Sequence, residues 1–89
     1  METKTIRIGV VQIDCQAGDV SRNLVRAGGL VEEAAHQGAQ LALLPELMPS
    51  GYLLTEAIWD CAEPFFGPTV NWLTGIAKRL NLYAGTSFL

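Results

Sequence analysis

Residues 41–52 read LALLPELMPSGY, and their reading decides that of the rest of the chain. A short apolar run stops at Pro45 and is followed at once by an acid, Glu46. Proline fixes its own φ and holds the preceding Leu44 in extended backbone. The carboxylate of Glu46 is therefore mounted on stiff backbone where a strand ends. Pro49, Ser50 and Gly51 then turn the chain.

Upstream, residues 6–13 (IRIGVVQI) are rich in β-branched side chains and too short for a helix, so they predict a strand. Ile6, Ile8 and Val10 fall on one face, and Gly9, Val11 and Ile13 on the other. Both faces are largely apolar, the pattern of a strand in a parallel sheet. Residues 14–18 (DCQAG) turn the chain, and Asp19 or Ser21 is placed to cap a helix. Val20, Leu24, Ala27, Val31 and Ala34 recur at spacings of four and three as an apolar stripe. Gly28 and Gly29 interrupt that helix, each costing about 1 kcal/mol relative to Ala, which suggests close packing against the sheet. Gly38 suits a left-handed helix end.

Strand, helix and strand in this order form a βαβ unit with parallel strands. Asp14 and Glu46 then share the C-terminal edge of the sheet, where open α/β sheets bind ligands. Downstream, residues 55–61 allow one or two helical turns. Pro68 suits the first turn of a helix, with Val70, Leu73, Ile76 or Ala77, and Leu80 as its apolar stripe and Asn81 as its close. Residues 82–89 (LYAGTSFL) predict a third strand. Three parallel strands with both helices on one side leave the other sheet face bare.

The 89 residues hold one domain or a piece of one, and a chain so short buries only roughly 60% of its unfolded surface. Yet 49% of them are hydrophobic and 17% charged, more apolar surface than so small a body covers by itself. A net charge of −3, with scattered Lys and Arg, argues against a nucleic-acid partner. No apolar run approaches the ~20 residues that span a bilayer. Arg7 and Gly9 break the N-terminal apolar segment, so it does not read as a signal peptide. Cys15 and Cys61 then read as free thiols of a cytoplasmic protein. With His36 isolated between them, they match no zinc-ligand spacing.

GVVQID, then GDVSRNL, then a helix leading into GAQLALLPELMPSGY resemble the N-terminal part of the nitrilase or carbon–nitrogen hydrolase superfamily. GPTV with LTGIAKRLNLYAGTSF is similar to the helix and strand that follow there, so the resemblance covers residues 1–89 as one N-terminal fragment. It implies an α/β fold, the N-terminal βαβ-αβ part of an α-β-β-α sandwich whose second sheet would cover the bare face. It also implies hydrolysis of non-peptide C–N bonds in amide, carbamoyl or nitrile substrates by a Glu-Lys-Cys triad without metal or organic cofactor. Glu46 matches the family's Glu, which takes the thiol proton, and Tyr52 is placed to line the substrate pocket.

The family's Lys and nucleophilic Cys lie farther along, and none of Lys4, Lys78, Cys15 or Cys61 stands at a matching position. The expectation is that these residues alone are inactive, since the attacking atom is missing. Association as a homo-oligomer, or with the missing C-terminal portion, is expected from the bare face. The alternatives are a non-catalytic α/β interaction module or a truncated gene product. For the remaining side chains the residues favour ordinary roles. Cys15 reads as packed in a turn rather than as a reactive thiol beside Glu46. Cys61 reads as packed against the sheet beside Ile58, and His36 as exposed at a helix end. Trp59, Trp72, Phe65 and Phe66 read mostly as core.

Overall fold

The computed structural model describes residues 4–89; the first three residues of the N-terminal segment lie outside the described residues. The order of elements is β1 (Ile8–Val10), α1 (Val20–His36), β2 (Leu41–Leu43), a 3₁₀ helix (Glu56–Cys61), α2 (Pro68–Leu80) and β3 (Tyr83–Gly85). The three strands form one parallel sheet in the order β1-β2-β3. Its register aligns Gly9 with Ala42 and Ala42 with Ala84. The strands are shorter than the apolar runs that predict them. Backbone hydrogen bonds nonetheless continue past their ends, from Val11 N–H to Leu43 O and from Leu44 N–H to Gly85 O, both 2.9 Å.

Both helices cover one face of the sheet. α1 packs on β1 and β2, α2 packs on β3, and the helices pack on each other. Val11, Leu24, Ala27, Val31, Ala42, Leu44, Met48, Ile76 and Leu82 form the core between sheet and helices. The other sheet face is bare, as expected: Ile8 is 50% exposed, Val10 73%, Leu43 43% and Tyr83 75%. β1 is therefore covered on one side only, although its sequence is apolar on both.

The ends of α1 follow from their residues. Asp19 caps the N-terminus, its carboxylate accepting from Arg22 N–H at 3.2 Å. Gly38, at φ +92°, and Asn81, at φ +52°, take left-handed conformations just past α1 and α2. α2 opens with Pro68 in its first turn and is capped from outside the helix. Both carboxylate oxygens of Glu63 bind Thr69, at 2.6 Å to its N–H and 2.9 Å to its hydroxyl. That capped end draws the fully buried Thr69 inward, so Thr69 and Ile76 are the buried residues of α2. Val70 and Leu73, expected on the buried stripe, are only partly buried.

The two mid-helix glycines of α1 differ from the expectation and from each other. A Cβ on Gly28 would face Trp72 and Ile76 of α2, not the sheet, while one on Gly29 would meet nothing within 4 Å. The close approach to the sheet is made by Gly9 instead, where a Cβ would stand 3.0 Å from Ala34 Cβ. Among the exposed aromatics, Trp59, Phe65 and Phe66 are not core residues, whereas Trp72 packs against it. The two helix and strand glycines give opposite expectations in urea denaturation. Gly29→Ala stabilises the fold by about 1 kcal/mol, because the helix gains propensity without a clash. Gly9→Ala destabilises it by about 1–3 kcal/mol through overpacking.

Candidate functional site

Two turns meet at the C-terminal edge of the sheet, one after β1 and one after β2. After β2 the chain makes a turn closed by Met48 N–H on Pro45 O (3.2 Å), and Gly51 N–H binds Leu47 O (2.8 Å). Leu47 occupies the left-handed region at φ +52°, unusual for a residue with a branched side chain. Glu46 sits at the crest of this turn with its side chain exposed. The turn lifts it into solvent. Its carboxylate is nevertheless held, because Tyr52 donates its hydroxyl hydrogen to Glu46 Oε2 at 2.9 Å.

Glu46 and Tyr52 open onto a cavity of about 310 Å³. Its walls come from the turn after β1 (Asp14, Cys15, Ala17) and the turn after β2 (Pro45, Leu47, Gly51). Asp14 and Glu46 thus share the sheet edge, as the βαβ unit requires. Gly51, at φ +65°, permits the two turns to close, with Ala17 Cα and Cys15 Cβ each 3.4 Å from where its Cβ would be.

One residue that the sequence reading passed over ties these walls together. Asn23, fully buried on α1, accepts from Gln16 N–H (2.8 Å) and donates to Gln16 O (2.8 Å) and Pro49 O (2.9 Å). One amide therefore bonds backbone groups from both turns and is itself fully satisfied in the interior. Gly18 N–H to Ser50 O (2.8 Å) joins the same two turns directly, and Arg26 donates to Asp14 O (2.9 Å). The signal was available: Asn23 lies beside Leu24 on the inner surface of α1, where a polar residue needs a partner.

The electrostatics separate the candidates. The hydrogen bond to Glu46 is the main cause that raises the Tyr52 phenol above its ordinary value of 10, with desolvation and the carboxylate charge adding to it. The Cys15 thiol is pushed up by burial, then by the Asp14 charge, against a lowering by Arg26. Its thiolate is therefore scarcer at neutral pH, the opposite of an activated nucleophile. Cys61 is also a free thiol, and its Sγ lies 4.0 Å from Gly18 O rather than against the sheet. Lys4 and Lys78 are exposed and line no part of the cavity. His36 is exposed at the end of α1. Among the described residues no group of three or more His, Cys, Asp or Glu side chains is placed to hold a metal ion. No helix among them is long and apolar enough to cross a membrane. Glu46→Ala removes the main cause of the raised phenol, so absorbance titration of Tyr52 should show its midpoint falling toward 10.

Comparison with known proteins identifies the family of the chain. The family model described as Carbon-nitrogen hydrolase matches residues 7–89. A nitrilase of Pyrococcus abyssi is 33% identical over 87 residues, covering 92% of this chain and 33% of its own length. An omega-amidase NIT2 of Bos taurus is 38% identical over 79 residues, covering 89% of this chain and 28% of its own. An N-carbamoylputrescine amidase of Solanum tuberosum is 30% identical over 91 residues, covering 98% of this chain and 30% of its own. The chain thus spans about a third of the length of these curated relatives. A match that runs through both helices, all three strands and the Glu46 turn means that the chain belongs to the carbon-nitrogen hydrolase family.

Proposed function

We propose that residues 1–89 are the N-terminal part of an enzyme that hydrolyses non-peptide C–N bonds in small amide, carbamoyl or nitrile substrates. Glu46 is its general base. The observation that carries this reading is the Glu46 carboxylate itself. It stands at the C-terminal edge of a parallel sheet, is oriented by Tyr52, and opens onto a cavity of about 310 Å³. Ligands of open α/β sheets bind at such edges. The family supplies the chemistry, and nitrilase, omega-amidase and N-carbamoylputrescine amidase relatives favour a small C–N substrate.

In this mechanism a cysteine thiol, supplied by sequence outside these residues, loses its proton to Glu46. The thiolate attacks the carbonyl or nitrile carbon, and a lysine from the same remainder stabilises the charge that develops. From an amide or carbamoyl group the C–N bond breaks and ammonia or an amine leaves with the proton, whereas the thioimidate formed from a nitrile first adds water and then loses ammonia to give the same thioester. Water, activated by the same carboxylate, then cleaves the acyl-enzyme thioester. Tyr52 acts by holding one carboxylate oxygen of Glu46 and by lining the substrate cavity. An exposed carboxylate becomes an effective base once substrate and the remaining walls exclude water from it.

The bare face of Ile8, Val10, Leu43 and Tyr83 is the inner face of an α-β-β-α sandwich, covered by a second sheet or by a partner copy. The free Cys15 and Cys61 favour a reducing, cytoplasmic setting. The same bare face is what favours the second reading, a non-catalytic module that binds a partner through it.

Two measurements separate these readings. The 89 residues alone should show no turnover of amide, carbamoyl or nitrile substrates, since neither Cys15 nor Cys61 stands at the position of the family's nucleophile. In the enzyme completed by its Lys and Cys, Glu46→Gln should lower kcat at least about 100-fold, the usual minimum for a general base, with an unchanged circular dichroism spectrum. Full activity in Glu46→Gln would overturn the general-base role.

A further inference from the structure

Glu46 is exposed and stands in a turn, yet general-base catalysis needs its carboxylate within hydrogen-bond reach of one particular proton. Two hydroxyls at the end of β3 meet that need. Thr86 donates its Oγ1 hydrogen to Pro45 O at 2.9 Å, and Ser87 Oγ accepts from Leu47 N–H at 2.9 Å. The two bonds land on the residues immediately before and after Glu46, from 41 and 40 residues away in sequence.

Their place in the ladder explains why they are needed. The backbone pairing of β2 with β3 ends at Leu44 N–H on Gly85 O. Beyond that point β2 bends away at Pro45, which has no N–H to offer the next rung. The two side chains that follow Gly85 continue the pairing with their hydroxyls, where backbone groups no longer face each other. Ser87 also braces Leu47, which stands at φ +52° and so holds a conformation unfavourable for a non-glycine residue. Such a conformation persists only where its surroundings over-determine it.

We infer that Thr86 and Ser87 are positioning residues for Glu46, clamping its backbone on both sides so that its carboxylate keeps a fixed direction into the cavity. The inference rests on the reading of Glu46 as the base, but it is tested without turnover, so the two can fail separately.

The test uses the Tyr52–Glu46 hydrogen bond in the full chain as a gauge of where the carboxylate points. Thr86→Val combined with Ser87→Ala removes both hydroxyls, while Thr86→Ser combined with Ser87→Thr keeps them. The first pair should lower the Tyr52 midpoint toward that of Glu46→Ala, and the second should leave it at the parent value. Val31→Ala, a buried core substitution away from the turn, should destabilise the chain without moving Tyr52. A Tyr52 midpoint unchanged in Thr86→Val/Ser87→Ala, with Glu46→Ala lowering it, overturns the proposal. So does a midpoint that moves equally in the hydroxyl-keeping pair or in Val31→Ala.

Hydrogen exchange at Leu47 N–H decides the matter if Glu46→Ala itself leaves Tyr52 unmoved, or if the double variant fails to fold. Removing its single acceptor in Ser87→Ala, at an exposed position, should speed Leu47 exchange about tenfold relative to core amides. Exchange at the parent rate overturns the clamp.

Discussion

The fold depends on β2 being hydrogen-bonded on both sides. As the middle strand of three, it buries Ala42 completely and shares its register with β1 and β3 at once. Shifting it by one residue would turn Leu41 and Leu43 toward the helices and Ala42 out of the core, so the register is strongly specified. That constraint carries through to the end of the strand. Once Leu43 is fixed between its neighbours, Pro45 can leave the sheet at only one point, and Glu46 follows at the crest of the turn. Gly9 serves the same constraint from the side, since only a residue without Cβ lets β1 lie so close to Ala34.

Two different parts of the molecule hold the cavity in shape. Asn23 reaches from inside α1 and joins the turns after β1 and β2 through backbone groups alone. Thr86 and Ser87 reach from the end of β3. The Asn23 amide is fully buried, where a polar group without its partners is costly. The second lies at the surface, where it gives direction more than stability. Cys15 sits inside the same walls, but burial and Asp14 keep its proton in place. Proximity to a carboxylate therefore does not make it a nucleophile.

Most of this was legible in the sequence, for identifiable reasons. The βαβ order, the caps at Asp19, Gly38 and Asn81, Pro68 at a helix start, and the bare sheet face all follow from local chemistry and spacing. Glu46 is singled out by its place after Pro45, and its proposed role comes from the resemblance to the carbon–nitrogen hydrolases. What stayed hidden depends on contacts between distant residues. Asn23 on the inner surface of α1 signals that it needs partners but not which ones, and nothing local marks Glu63 as the cap of α2 or Gly28 as a seat for Trp72. The left-handed Leu47 stayed hidden as well, because leucine is not a residue from which that conformation is read.

Leu47 also shows how stability and use are set against each other in this turn. A glycine or asparagine would adopt φ +52° with little steric cost, and the turn would form more readily. A glycine, however, would also sample many other angles, and the direction of its neighbour would broaden with it. A leucine held in an unfavourable conformation by its surroundings has fewer places to go. The turn is thus less stable than chemistry allows and narrower than a relaxed one would be. It is the kind of local frustration that selection for thermal stability alone would remove, and that selection for a well-aimed side chain retains.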